Sequence, residues 1–354
     1  MFSADDAAQD LPQLRILQRQ NGDRTTGGLN AQTMSTSAHS QQSGPIALMF
    51  PGQGSQFPGM AIDLVREVPV ARAILEKADD ILGYSLSRIM AGESGDALNR
   101  TVHTQPAIFT HSMALFQALV ERCPISPVMA AGHSLGEYSA LCAAGVLSFE
   151  DALDIIRVRA QGMDDAQPPN TCSMAAIVGL SKDDVVRYVN EAREDQVLEA
   201  ANFNAPDQVV ISGHAEAVDR VLAAVKNEKR TRAVSLPVSS AFHTPLMESA
   251  KEALKSRLES VSPRKARFPV VANVTGQAYP DSEEEVKRLL TEQVVRPVLW
   301  EDSVRRMRSC GAEVFLEIGP GKALAGLLRR IDRTALAVSI SDTSSMIAYE
   351  KVSA

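Results

Sequence analysis

Apolar residues fall along this chain in two rhythms. Short, nearly unbroken runs at Ile46 to Phe50, Val128 to Ala131, Phe268 to Asn273 and Glu313 to Ile318 have the length of strands buried on both faces, and amphipathic stretches separate them. Ala71 to Leu82 carries helical spacing. Thr104-Gln105-Pro106 reads as the start of a helix from Pro106 to about Arg122, with proline at its first position. Ser148 and Asp151 form a capping box for a helix from Phe149 to Asp165, whose apolar positions make one stripe. Buried strands alternating with helices predict an α/β fold with a mostly parallel sheet.

Between Ser173 and Val238 the alternation tightens. Strands are predicted at Met174 to Val178, Val197 to Asn202, Gln208 to Ser212 and Arg232 to Leu236, with helices at Ser181 to Ala192 and His214 to Asn227. The order βαββαβ is ferredoxin-like. It predicts a small domain at residues 172–237 inserted in a large one at residues 45–171 and 238–345, with Asn202-Phe203-Asn204-Ala205-Pro206 as a turn-rich link at its edge. Residues 1–44 are rich in Gln, Ser, Thr, Asp and Gly and nearly free of periodic apolar positions, so they read as a disordered tail, with Met34 a candidate start site. Residues 346–354 read as a C-terminal tail.

Composition narrows the function classes. A net charge of −7 argues against nucleic acid as a partner, which needs clustered positive charge. The four cysteines are far apart and the six histidines lack metal spacing, so no metal and no disulfide framework is expected. No apolar run approaches the ~18 residues that cross a bilayer, so no membrane partner is expected. Asp5, Asp6 and Asp10 stand where a targeting segment would be apolar or free of acids, which makes a cytoplasmic location the expectation.

The chemistry centres on Gly132-His133-Ser134-Leu135-Gly136, a Gly-x-Ser-x-Gly turn between a predicted strand and a predicted helix. Such a turn holds a serine out over a sheet in a strained conformation, with room for no side chain two residues either side. It also puts the Leu135 N–H at the positive end of a helix, where an oxyanion is received. Gly52-Gln53-Gly54-Ser55-Gln56 follows the first strand and fits neither a phosphate loop nor a dinucleotide fingerprint, which leaves it as a second source of oxyanion-binding N–H groups. His243 stands before Thr244-Pro245, a helix start whose dipole favours neutral imidazole, and it is the candidate base for Ser134. Arg159 and Arg157 flank the apolar stripe of their helix by about 70° and about 90° on opposite sides. Periodicity prefers Arg159 only slightly, and it cannot say whether its carboxylate partner belongs to protein or substrate.

Five motifs in series, Gly52 to Gln56, Gly132 to Tyr138, Asn202 to Pro206, Ala241 to Met247 and Glu317 to Gly321, resemble those of the malonyl-CoA:acyl carrier protein transacylases, and the likeness runs from about Ile46 to the C-terminus. The resemblance implies an α/β-hydrolase-like large domain, a ferredoxin-like insert and a site in the cleft between them. It implies Ser134 as nucleophile, His243 as base, the N–H groups of Gln53 and Leu135 as oxyanion hole, and Arg159 as partner of the malonyl carboxylate. The backbone carbonyl of Gln293 would orient His243, Gln105 would line the acyl pocket, Asn204 would contact substrate, and Phe242 before the histidine goes with malonyl selectivity. Malonyl-CoA and acyl carrier protein are the implied partners, with no cofactor, in a monomeric enzyme of fatty-acid synthesis. A polyketide-pathway acyltransferase and a serine thioesterase are the alternatives.

Overall fold

The computed structural model describes residues 44–238 and 240–353. The disordered tail expected at residues 1–44, and Met34 within it, lies outside the described residues apart from Gly44. The strands in chain order are β1 (Ile46–Phe50), β2 (Met129–Gly132), β3 (Cys172–Val178), β4 (Leu198–Ala205), β5 (Gln208–His214), β6 (Arg232–Ser235), β7 (Val270–Val271), β8 (Val314–Ile318) and β9 (Leu336–Ile340).

Five of them form a parallel sheet in the order β7-β2-β1-β8-β9. The apolar runs are continuous because both faces are covered. Leu48 and Phe50 of β1 join one core with the helices Pro69–Leu82 and Thr101–Arg122, whereas Ala47 and Met49 join another with Trp300, Leu324 and Leu328. The chain leaves β1 toward β2 on one side and returns to β8 on the other, so β1 is a topological switch point, where open α/β sheets bind ligands beyond the carboxyl ends of their strands.

The other four form an antiparallel sheet in the order β4-β5-β3-β6, the ferredoxin-like arrangement expected from βαββαβ. One face packs on its own helices through Ala175, Ile177 and Ile211, while Met174, Ala201 and Val210 on the other face join the large core. Backbone also joins the small sheet to the segment before the Trp300 helix of the large domain: Phe203 N–H donates to Val298 O at 2.9 Å and Val298 N–H to Ala201 O at 2.9 Å.

Several boundaries differ from the sequence reading. The helix expected to open at Pro106 begins at Thr101, because proline is tolerated inside it where only the Val102 carbonyl loses a backbone donor, and Tyr84 Oη approaches that oxygen at 3.5 Å. Residues 202–205, expected as a link, are strand: β4 runs to Ala205, and bulges at Ala200/Asn202 and Phe203/Ala205 absorb its irregularity. Only Val270–Val271 of the run expected at Phe268 to Asn273 pairs as strand. From Thr343 to Ser353 the chain is helical where a tail was expected from 346, and burial of Met346 and Tyr349 in the large core accounts for it.

Candidate active site

Ser134 lies two residues past the end of β2 and has φ 51°, the left-handed region that an L-residue enters only when its surroundings enforce it. The enforcement is steric. A Cβ on Gly132 would stand 1.9 Å from the Gly136 backbone, and one on Gly136 would stand 2.0 Å from Phe50 O, so strand, turn and helix approach as closely as backbones can. Hydrogen bonding completes it. Asn273, beyond the end of β7, accepts from the Ser134 N–H at 2.7 Å and donates through Nδ2 to Gly132 O at 2.7 Å, spanning the turn with one side chain.

The structure brings His243 to this serine, with Nε2 2.8 Å from Ser134 Oγ. On the other side of the ring, Nδ1 lies 2.8 Å from the backbone oxygen of Gln293. A carbonyl only accepts, so Nδ1 carries the proton and Nε2 presents its lone pair to the serine hydroxyl. His243 itself has φ 61°, and its N–H donates to Val294 O at 3.2 Å. Burial, helped by the Arg159 charge, pushes its pKa down to about 3, so the ring is neutral at physiological pH.

Arg159 and Arg157 separate completely. Arg157 is exposed and paired with Asp154, with Nη2 2.6 Å from Oδ1. Arg159 is fully buried and meets only neutral groups: Nη1 donates to Gln105 Oε1 at 2.6 Å, and Nη2 to Gln293 Oε1 at 2.9 Å and to Ser134 Oγ at 3.0 Å. Its guanidinium stacks 5.5 Å from the Tyr138 ring centroid. Among the described residues no carboxylate pairs with it and its Nε has no partner. Burial presses its pKa down, yet a guanidinium stays charged, so a cation is held beside the nucleophile without a contacting anion.

The remaining expected residues lie around these three. Among the described residues neither the Gln53 N–H nor the Leu135 N–H is taken up by another hydrogen bond, and a Cβ on Gly52 would meet His133 O at 2.4 Å, so the first loop rests against the serine turn. Asn204 Oδ1 lies 2.7 Å from His133 Nε2, and Phe242 is buried in the large core. Gln105 Nε2 also reaches Met163 Sδ at 3.6 Å.

Two features were missed by reasoning from sequence. Asn273 has no motif around it, and its contact with Ser134 spans 139 positions. Glu137 lies within the Gly132 to Tyr138 motif but has no role assigned from sequence; it is buried, accepting from Tyr279 Oη, Gln293 Nε2 and the Asn273 N–H. Burial pushes its pKa up to about 7 against the opposing effect of those donors.

The family profile of the acyl transferase domain matches residues 48–342. The malonyl CoA-acyl carrier protein transacylase of Haemophilus influenzae is 40% identical over 307 residues, covering 86% of this chain and 98% of its own length. A malonyl CoA-acyl carrier protein transacylase structure from Coxiella burnetii superposes with a TM-score of 0.84 at 36% identity, covering 87% of this chain and 98% of that one. A malonyl-transacylase solved in complex with its type II PKS acyl-carrier protein superposes with a TM-score of 0.84 at 38% identity, covering 87% and 99%.

Proposed function

The chain belongs to the acyl transferase domain family, and from that membership we propose that it transfers the malonyl group of malonyl-CoA to the phosphopantetheine thiol of acyl carrier protein through an ester on Ser134, supplying fatty-acid synthesis. The observation that carries the choice of acyl group is Arg159, a fully buried guanidinium 3.0 Å from the Ser134 hydroxyl with only neutral partners. A buried charge without a counter-ion is costly, and a malonyl carboxylate would supply the missing anion as its thioester carbon reaches the serine.

The steps follow from the atoms present. His243 Nε2 takes the Ser134 proton while Oγ attacks the thioester carbonyl, and the Gln53 and Leu135 N–H groups receive the oxyanion. Collapse breaks the carbon–sulfur bond, and the proton held on His243 passes to the coenzyme A sulfur. In the second half His243 takes the proton of the pantetheine thiol, sulfur attacks the malonyl ester, and Ser134 leaves with that proton. Both half-reactions exchange one acyl bond for another of similar kind.

A thioesterase would use the same serine and base but pass the acyl group to water. Hydrolases of that design commonly hold the histidine with a carboxylate, whereas His243 is held here by the Gln293 carbonyl. A monomer in the cytoplasm is part of this reading, since Ser134, His243, Arg159 and Gln293 make up the site without a second chain.

Incubation with labelled malonyl-CoA tests the proposal. Label should accumulate on the protein, and move to holo-acyl carrier protein when that is added. Release as free malonate at the same rate with and without carrier would make the protein a hydrolase.

A further inference from the structure

Glu137 lies on the far side of the Gln293 amide from Arg159. Gln293 Oε1 accepts from Arg159 Nη2 at 2.9 Å, while Gln293 Nε2 donates to Glu137 Oε2 and, at 2.8 Å, to Ser134 O. The other carboxylate oxygen accepts from Tyr279 Oη and, at 3.1 Å, from the Asn273 N–H. Every neighbour that touches this carboxylate donates to it, which is the surrounding of an ionised acid.

We infer that Glu137 is the counter-charge of Arg159 acting through the Gln293 amide, a positioning residue that keeps the guanidinium oriented for a substrate carboxylate without occupying it. This rests on the reading that Arg159 binds the malonyl carboxylate. A carboxylate in direct contact would fill the guanidinium fork and compete with substrate. One amide away, it still offsets the buried charge and fixes which end of the Gln293 amide faces Arg159. The same amide ties the orientation to the nucleophile turn, because its Nε2 also holds Ser134 O.

Glu137→Gln is nearly isosteric and tests this. Tyr279 and Asn273 would keep the oxygen of the new amide on their side, so its NH2 would face Gln293 Nε2, donor against donor. Gln293 would then turn over and present NH2 to Arg159. The expected result is a fall of about tenfold in the ratio of kcat/KM for malonyl-CoA to that for acetyl-CoA, the range of a hydrogen bond to a charged group. The fall should vanish when Glu137→Gln is made in an Arg159→Ala background, because the two act on one interaction. An unchanged ratio, or an equal fall in the Arg159→Ala background, would overturn the inference and leave Glu137 a packing residue. If Arg159→Ala alone leaves the ratio unchanged, the reading of Arg159 itself fails, and this inference with it. Tyr279→Phe gives a second route should Glu137→Gln not fold: it removes one donor to the carboxylate and should lower the ratio a few-fold, again only while Arg159 is present. No fall with Tyr279→Phe in that case overturns it.

Discussion

The Arg159 guanidinium and the Ser134 hydroxyl are 3.0 Å apart, and that oxygen is also 2.8 Å from His243 Nε2. One serine oxygen therefore accepts from the cation while donating to the base. Under the proposed function, nucleophile activation and recognition of an anionic acyl group share one atom.

Arg159→Ala should lower malonyl transfer by roughly ten- to a hundred-and-fifty-fold in kcat/KM, the range of a charge-assisted pair shielded from water. Acetyl transfer should hold or rise, because the substitution also removes a cation that an uncharged acyl group leaves unpaired. Lys should rescue only part, since a point charge cannot reproduce the planar fork. Steady-state rates with both thioesters check this, and an equal fall in the two would make Arg159 structural.

Ser134→Ala should abolish the covalent malonyl adduct seen by mass spectrometry and leave the fold intact, while His243→Ala should slow acylation by at least ~10²-fold. An adduct surviving in Ser134→Ala sinks the nucleophile assignment, and a rate within a few-fold of wild type in His243→Ala points to another base.

The pH profile should separate the two titrating groups. His243, pushed down to about 3 by burial and then by Arg159, is neutral across the working range and contributes no acid limb there. Glu137, pushed up to about 7 by burial and faced by Tyr279, Gln293 and Asn273, loses its charge as pH falls through that value. Malonyl kcat/KM should therefore drop below about pH 7 in wild type and become flat from about pH 5 to 8 in Glu137→Gln. A limb near 7 that persists in the variant belongs to the histidine.

Gly132→Ala should cost about 3 kcal/mol or more, because its Cβ meets backbone rather than a movable side chain at 1.9 Å. A melting temperature within a degree or two of wild type would mean that the turn relaxes.

The serine turn was legible because its requirements are local: two glycines, a strand before and a helix after. The insert was legible for a similar reason, since six short elements in βαββαβ order leave few topologies. Arg159 was half legible. Helical periodicity gives an angle, and two arginines on opposite flanks of one stripe differ only in what the rest of the fold brings to each side. Asn273 and Tyr279 were not legible, since they follow a two-residue strand and gain meaning only when β7 pairs beside β2. Proline at 106 misled because the one carbonyl it leaves without a backbone donor, that of Val102, is approached by Tyr84 Oη, and the weak apolar signal of β9 at the sheet edge gave no reading at all.

The splice between β4 and residue 298 bears on how the protein measures an acyl group. Because the insert is joined to the large domain by a pair of main-chain hydrogen bonds, a wider gap there would require breaking both, and under the proposed function the two lobes would act as a fixed gauge rather than as jaws. Acceptance of a bulkier acyl chain then has to come from exchanging side chains on the walls, one volume for another, and not from loosening the hinge between them.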